Sequence, residues 1–310
     1  GYTPVTLSPF DRVGDADSHY QSNMKGYGVS GQVDWDLGKV SLTSVSAYRW
    51  WDWDPANDGD STALPIITKA QQSNRQRQFS QELRLASTGK NTIDWVIGGY
   101  YFWQIVRGYG KVAYGSAAPS WYLPTVAPAV ANAALNGFES NSTSTPETKS
   151  LAAFGQVNWN ISPKLTLTAG LRYTHEKKQG EYTQFHVAGV DLSTLPTAIA
   201  TAAATIRAGY APIDSYSTSF TDNSLSGLLS LAYKVTPDVL LYGTYSRGSK
   251  SSGLNLTQLP VGVPPEVAPE KVDNFEVGLK SQLFDRQVTF NLAGYWTEIK
   301  DYQTAILEQL

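Results

Sequence analysis

Apolar and polar residues alternate with a period of two along much of the chain. From residue 93 to residue 105 every odd position is apolar, aromatic or Gly, while Asp94 and Gln104 fall between them. The same alternation recurs at 164–173, 272–283 and 287–297. Because successive side chains of a strand point to opposite faces, this pattern predicts strands with one apolar face and one polar face. The stretches 40–54 and 239–247 alternate less cleanly, since both of their faces carry mixed residues.

Short and long connections alternate between the predicted strands. Tight turns of Gly, Pro, Asp and Asn are predicted at 37–39, 88–91, 161–164, 236–238 and 284–286. Long polar or small-residue stretches are predicted at 54–74, 108–148, 179–214 and 249–269. Such asymmetry is typical of outer-membrane barrels and rare in soluble sandwiches. The sequence therefore predicts an all-β, antiparallel transmembrane β-barrel with short periplasmic turns and long extracellular loops.

Composition narrows the class of protein. Aromatic residues make up 12% of the chain and charged residues only 16%, while the mean hydropathy is −0.27. Aromatic residues near strand ends are typical of the girdles at a membrane boundary, so outer-membrane lipid is an expected partner. The absence of cysteine excludes disulfides, thiol nucleophiles and thiolate metal sites. With a net charge of −3 and no basic block, nucleic acid is not an expected partner.

Two of the long loops contain helical patterns. Residues 196–207 are rich in Ala, with Thr194 placed to cap a helix and Gly209 to end it. A weaker pattern covers 128–135. Neither pattern predicts membrane binding, so both helices are expected to be ordered parts of the outer loops.

Candidate chemistry along the chain is sparse. Gly26, Gly28 and Gly31 match a dinucleotide fingerprint in spacing, but no helix follows to hold a pyrophosphate. The acidic stretch containing Asp52, Asp54, Asp58 and Asp60 is expected to be a solvated loop, with cation binding as the alternative. The three histidines, His19, His175 and His186, are expected to be exposed polar residues near the bases of loops. No catalytic residue, cofactor site or metal site is predicted.

Four sets of residues resemble the TonB-dependent receptor family. The segments 81–87 and 95–101, reading QELRLAS and WVIGGYY, are similar to one hairpin of that family. Further similar segments are 154–156 with 167–173, 241–248 with 253–255, and 269–280 with 290–293 and 301–303. One departure is Ser252, where the family usually has a Gly. The resemblance runs from about residue 29 to residue 303.

The resemblance implies more than the chain itself contains. The family has a globular plug domain and a 22-stranded barrel, whereas the hairpins here predict about ten strands. Residues 1–310 are therefore expected to be one barrel segment, with the plug and the C-terminal strands outside it, and a self-contained smaller barrel is the alternative. By resemblance the ligand is a scarce nutrient, an iron–siderophore above all. It is expected to bind at the extracellular loops and to be imported with energy relayed through the plug by the inner-membrane TonB complex.

Two sets of site residues follow from these patterns. Aromatic residues of the predicted outer loops are the ligand-contact candidates: Trp51, Trp53, Trp121 and Tyr122. Flat rings suit sugars or the aryl groups of siderophores, and the alternative is that these residues anchor the interface or pack within the loops. Charged residues of the polar face are the candidates for facing the lumen or the plug: Arg84, Arg172, Glu276 and Lys280.

Two other functions remain open on sequence grounds. A passive porin or structural outer-membrane barrel would have no plug and would carry a constriction loop inside the barrel. A secreted carbohydrate-binding or hydrolytic protein would need a pair of carboxylates in a cleft, and the sequence contains no convincing pair. No enzymatic activity is expected.

Overall fold

The computed structural model describes Phe10 and residues 14–304, and it consists mainly of antiparallel strands. In chain order these are β1 Gln21–Asp36, β2 Val40–Ala56, β3 Ile67–Ser87, β4 Ile93–Tyr114, β5 Glu139–Ser144, β6 Glu147–Ser162, β7 Leu165–Ala188, β8 Asp214–Thr236, β9 Val239–Lys250, β10 Gly253–Leu254, β11 Glu266–Val267, β12 Glu270–Leu283 and β13 Val288–Lys300. Eleven of the strands form one sheet, and β10 pairs separately with β11.

Strands pair with their neighbours in sequence across the whole sheet. The order runs from β1 to β4, then through β7, β8, β9 and β12 to β13. Both β5 and β6 lie between β4 and β7. Strand β5 pairs with residues 108–113 of β4 and residues 182–188 of β7, and β6 pairs with the remaining parts of these two strands. They therefore fill a single strand position, interrupted at Thr145 and Pro146. This gives ten strand positions, which confirms the prediction of a partial antiparallel barrel.

The two rims of the sheet differ in their connections. At the turn rim, β1–β2, β3–β4, β6–β7, β8–β9 and β12–β13 are joined by short turns. At the loop rim, the connections are longer: β4–β5 and β7–β8 contain helices, β9–β12 contains the β10–β11 hairpin, and β2–β3 is an irregular loop. Several turns rely on residues with positive φ, including Gly38 at 87° and Gly89 at 81°. Glycine adopts this conformation without steric cost, so the turns stay tight and the strands stay in register.

Cross-strand register divides the sheet into an apolar face and a polar face. On the apolar face Ile97, Gly155, Leu171 and Gly227 lie in one row. On the polar face Arg84, Gly98, Phe154, Arg172 and Ser226 form the adjacent row. Large apolar side chains of the first face are mostly uncovered, and Leu171 is 65% exposed. An exposed apolar face of this extent is typical of a wall that contacts lipid.

The less regular alternation of β2 has a local explanation. Its apolar face includes Ser44 and Ser46, which hydrogen-bond to the amide of Gln81 on β3. The three polar groups satisfy one another, so β2 keeps its place in the sheet although its pattern is mixed.

The strands are staggered from one to the next. Starting at the turn rim, the row of opposed residues runs Ser41, Ala86, Val96, Gln156, Gly170, Leu228, Ser246, Asn274 and Thr297. The first of these lies beside a short turn, whereas the last lies near the loop end of β13. Strands that tilt relative to a barrel axis produce this stagger.

Strands reach farther toward the loop rim than the sequence predicts. The loops predicted at 108–148 and 179–214 begin only after Tyr114 and Ala188, where β4 and β7 end. At 108–114 and 179–188 small, polar and aromatic residues are mixed on both faces, so the period of two that marks a strand disappears there. Three helices occupy the loops: α1 Ala118–Tyr122, α2 Pro128–Leu135 and α3 Thr197–Tyr210.

The bounds of α2 agree with those predicted from the sequence, whereas those of α3 differ in detail. Pro196 is the N-cap of α3, and Thr194 instead ends a short 3-10 turn that Asp191 caps. The helix continues through Gly209 to Tyr210. No helix among the described residues is long and apolar enough to cross a membrane.

A cluster of buried apolar residues lies in the loops rather than in the sheet. It contains Ile66, Ala118, Ala133, Ala134, Leu135, Phe138, Ala203 and Ala211. These residues come from three connections, β2–β3, β4–β5 and β7–β8. We call this packed unit the loop cap.

Candidate functional site

Trp51 and Trp53 lie on the polar face of β2, near the loop rim. The indole Nε1 of Trp51 donates to Oε1 of Gln76 at 2.6 Å, and that of Trp53 donates to Oγ of Ser22 at 3.0 Å. Across from Trp51 stands Gly26, where an added Cβ would lie 3.3 Å from the Cβ of Trp51. The missing side chain of Gly26 therefore leaves room for the indole.

Trp50 directly precedes Trp51 in the sequence, but it lies on the opposite face of β2. Its ring stacks on Tyr27 with centroids 5.2 Å apart, on the apolar face of the sheet. Adjacent tryptophans of β2 thus belong to two different surfaces. Trp50 suits an aromatic girdle, whereas Trp51 and Trp53 face the same side as Arg84 and the other charged residues.

Trp121 and Tyr122 both belong to α1, yet their surroundings differ. The ring of Tyr122 packs edge-on against Tyr114 at 6.2 Å and against Tyr210 at 5.8 Å. Trp121 is 55% exposed. Tyr122 is thus a packing residue of the loop cap, and Trp121 presents a free ring. Among the described residues no hydrogen bond or ring contact joins this pair to Trp51 or Trp53.

Three phenol groups meet at the edge of the loop cap. Burial raises the pKa of Tyr114 to about 12, and the neighbouring phenols of Tyr122 and Tyr210 contribute in the same direction. Burial also raises the pKa of Tyr122, with a smaller contribution from the charge of Asp60. These groups remain neutral at physiological pH, so the cluster offers apolar ring surface and hydroxyl groups rather than charge.

The carboxylates of the predicted acidic loop accept hydrogen bonds or form ion pairs with other groups of the same chain. Asp52 pairs with Arg75 at 2.8 Å. Oδ1 of Asp58 accepts the backbone N–H groups of Asp60 and Ser61, and Asp60 accepts from the N–H of Ile67 at 2.6 Å. No group of three or more potential metal ligands occurs within the described part of the chain. The carboxylates therefore shape the β2–β3 loop.

Arg207 is a site residue that the sequence analysis missed. The residue is 8% exposed, and its guanidinium donates to the carbonyl oxygens of Ala134 at 3.0 Å, Ala133 at 2.8 Å and Val190 at 2.9 Å. It also lies 5.1 Å from the ring centroid of Phe138. One side chain thus ties α2, α3 and the end of β7 together. A single charged residue inside an Ala-rich helix was the available signal.

His186 differs from its prediction as an exposed residue. Its Nε2 lies 2.7 Å from the carbonyl oxygen of Ala211, and its ring packs edge-on against Phe138 at 4.8 Å. His175 is exposed and hydrogen-bonds to Asn223. His19 is exposed as well.

The four charged candidates of the polar face form two separate groups. Arg172 lies over the rings of Tyr100 at 5.4 Å and Phe154 at 5.7 Å, and Arg84 pairs with Glu82 at 3.3 Å. Three strand positions from Arg172, Glu276 accepts a hydrogen bond of 2.5 Å from the hydroxyl of Tyr242, whose ring lies 5.4 Å from Nζ of Lys280. All four side chains face the same side of the sheet. Their contact with a plug stays a prediction.

The connection between β9 and β12 is fastened to the polar face. Nζ of Lys178 donates to Oγ of Ser251 at 2.7 Å and to the carbonyl oxygen of Ser252. The hydroxyl of Tyr216 donates to the carbonyl oxygens of Asn255 and Thr257. Ser252, which departs from the usual Gly of the resembled motif, is 2% exposed. The loop therefore has a defined position over the polar face of β7 and β8.

Comparison with known proteins gives a consistent set of relatives. The profile of the TonB-dependent receptor-like β-barrel family matches residues 2–309. The pesticin receptors of Yersinia enterocolitica and Yersinia pestis are 29% identical over 231 residues, which is 74% of this chain and 28% of theirs. This chain thus spans little more than a quarter of the length of those relatives.

Solved structures share the fold. The ferric yersiniabactin uptake receptor FyuA from Yersinia pestis aligns with a TM-score of 0.65 at 21% identity, covering 91% of this chain and 36% of that one. The siderophore receptor PiuA from Acinetobacter baumannii aligns with a TM-score of 0.61 at 14% identity, covering 91% and 41%.

Proposed function

Since this chain belongs to the family of TonB-dependent receptors, we propose that it forms part of the wall of an outer-membrane receptor for active import. The proposed ligand is a ferric siderophore, bound at the extracellular loops. In this orientation the loop rim faces outside, the turn rim faces the periplasm and the apolar face contacts lipid. The relatives named as siderophore receptors support the ligand class.

The observation that carries this proposal is the position of Trp51 and Trp53. Both rings lie on the polar face at the loop rim, where a ligand entering from outside would first meet the wall. Their indole N–H groups are already bonded to Gln76 and Ser22, so the rings are held in place. Preorganised aromatic surface suits the flat aryl or chelate groups of a siderophore.

The wall is proposed to be completed by other parts of the polypeptide. Among the described residues, β1 and β13 are the two edges of the sheet and do not pair with each other. An unpaired edge in lipid is costly, because each free backbone group lacks a hydrogen-bond partner. We propose that further strands close the barrel to 22 and that a plug fills it. Arg84, Arg172, Glu276 and Lys280 would then contact the plug.

The proposed import can be tested with the full-length protein in cells. Uptake of radiolabelled ferric siderophore should require both the protein and the TonB complex of the inner membrane. Uptake that continues without the TonB complex would identify a passive pore instead. Uptake of no siderophore, with normal membrane insertion, would overturn the proposed ligand class.

The role of Trp51 and Trp53 has a matched control in Trp50. We expect W51A/W53A to weaken ligand binding by roughly tenfold to a hundredfold, since stacked aromatic contacts are worth about 0.5–1.5 kcal/mol each beyond the buried area. W50A should leave the affinity unchanged, because Trp50 lies on the opposite face. Binding is measured by quenching of intrinsic fluorescence or by calorimetry. Equal effects of the two variants would exclude this surface as the ligand site.

A further inference from the structure

Arg49 is a positive charge of the polar face that the chain does not neutralise. Among the described residues, the other strand arginines on this face are Arg84 and Arg172. Arg84 pairs with Glu82 at 3.3 Å, and Arg172 lies over two aromatic rings. Arg49 is exposed and makes no hydrogen bond, ion pair or ring contact within the described part of the chain. Its charge is therefore available to a group from outside the chain.

The surroundings of Arg49 contain no acidic side chain. It lies on β2 directly opposite Gly28 of β1 and Gln78 of β3. A Cβ at Gly28 would lie 3.9 Å from the Cβ of Arg49, so the missing side chain keeps that flank of the arginine open. The next neighbours on the same face are small or uncharged: Gly26, Ser30, Ala47, Trp51, Gln76 and Ser80.

A chain of hydrogen bonds ends in a second donor beside Arg49. The indole of Trp51 can only donate, so the atom of Gln76 that it meets at 2.6 Å is the amide oxygen. The amide nitrogen of Gln76 then donates to the oxygen of Gln78 at 2.9 Å. Because Trp51 sets the direction of the chain, Gln78 is left with an amide nitrogen that has no acceptor among the described residues.

Arg49 and Gln78 together form a site that contains donors only. Neither the guanidinium nor the amide nitrogen of Gln78 can accept a hydrogen bond. Directly opposite side chains of neighbouring strands have Cβ atoms about 5 Å apart, so one small group can contact both. A group with acceptors only and a negative charge fits this site. A carboxylate matches it best, since its two oxygens can accept parallel bonds from the planar guanidinium.

The distance to Trp51 defines the shape of a ligand that uses this site. Trp51 and Arg49 are two residues apart on the same face of β2, which corresponds to about 7 Å along a strand. A ligand that stacks on Trp51 and bonds to Arg49 therefore carries its carboxylate about 7 Å from a flat ring.

We infer that Arg49 and Gln78 select ligands that carry a free carboxylate beside a flat aryl or chelate group. This inference rests on the proposed function, and it narrows the ligand class from ferric siderophores in general to those with such a carboxylate. Trp51 contacts the ring of any flat ligand, whereas Arg49 distinguishes a charged ligand from a neutral one. Arg49 is thus a specificity-determining residue of the site.

The test uses the full-length protein in a neutral detergent and two ferric chelates that differ in one group. Both are ferrioxamine B acylated on its free amine, either with terephthalate, which leaves a carboxylate, or with 4-carbamoylbenzoate, which is neutral. Affinities are measured by calorimetry. We expect the unaltered protein to bind the carboxylate chelate about tenfold more tightly, the effect of one charge-assisted hydrogen bond at an exposed site.

Variants at Arg49 should change this preference without abolishing binding. R49Q should bind the two chelates equally, and R49K should keep only part of the preference because an ammonium lacks the planar fork. R77Q is the matched control, since Arg77 is exposed on the opposite face of β3 and R77Q removes the same charge. A preference that persists in R49Q, or that is lost equally in R77Q, would overturn the inference.

Failure of the proposed function would give a different result. If the unaltered protein binds neither chelate, or if W51A/W53A binds both as tightly as the unaltered protein does, the rings are not the ligand site and both proposals fail. If W51A/W53A weakens both chelates while the unaltered protein binds them equally, the ring site stands and only the selection by Arg49 is overturned.

Discussion

At the scale of single residues, the buried phenol of Tyr114 makes the loop cap sensitive to alkali. Its pKa of about 12 lies above the value of about 10 for an unfolded chain. The stability contributed by the neutral phenol is therefore fully present below pH 10 and is lost as the pH rises toward 12. The difference in pKa corresponds to at most about 2–3 kcal/mol, because solvent still reaches part of the ring and weakens the effect.

The prediction is checked by a difference titration. Tyrosinate absorbance of the unaltered protein minus that of Y114F should contain one group that titrates near pH 12. Near-UV circular dichroism of Y114F should also change less over the same range. A difference curve centred near pH 10 would contradict the buried position of Tyr114.

Residue-level features differ in how far the sequence predicts them. The sequence predicts that Arg84 and Arg172 lie on the polar face, because each occupies a polar position in a strand with a clear period of two. The structural role of Arg207 does not, because its three carbonyl partners belong to segments far away in sequence. Tyr122 was a reasonable ligand candidate by type, and only the packing of Tyr114 and Tyr210 around it reveals a second role.

At the scale of elements, close packing between β4 and its neighbours depends on one glycine. A Cβ at Gly98 would lie 2.8 Å from the carbonyl oxygen of Leu83 and 2.5 Å from the ring of Phe154. At the adjacent Gly99 the nearest atom, the carbonyl oxygen of Ala152, would be 3.7 Å away. We expect G98A to destabilise the wall by about 1–3 kcal/mol, since a backbone oxygen cannot move freely.

The matched variant G99A is expected to change stability by less than about 0.5 kcal/mol. Urea-induced unfolding in detergent micelles, followed by tryptophan fluorescence, compares the two. If both variants unfold at the same urea concentration, the approach of β3 to β4 is looser than the structure indicates.

Hairpins were the elements that the sequence predicted best. The short turns lie where Gly, Pro and Asp cluster, and α2 has the predicted bounds. The predicted ends of β4 and β7 were wrong by several residues, because the outer parts of these strands carry no regular alternation to detect. With only five residues, α1 is too short for a helical period to be recognised.

At the scale of the whole molecule, Arg207 connects the loops into one unit. R207M should leave three buried carbonyl oxygens without a donor, and each such group costs about 1–3 kcal/mol. We expect hydrogen exchange to accelerate in α2, α3 and residues 186–190, while β6, β8, β9 and the rest of β7 keep their protection. The loop cap would then open without unfolding the wall.

The control for this prediction is T205A in the same helix. Thr205 is exposed, and its hydroxyl donates only to the carbonyl oxygen of Thr201 one turn earlier. Exchange in α2 should remain slow in T205A. If R207M also leaves exchange in α2 unchanged, the cap is held by its apolar residues alone.

The pairing of strands with their neighbours in sequence has a consequence for biogenesis. Because each hairpin lies next to the one made just before it, the wall can grow in the order of translation, one hairpin at a time. At every stage only the newest strand and the first one have a free edge. A cell that builds this sheet therefore has to shield two edges at any time, one fixed and one advancing, whatever the final circumference of the barrel.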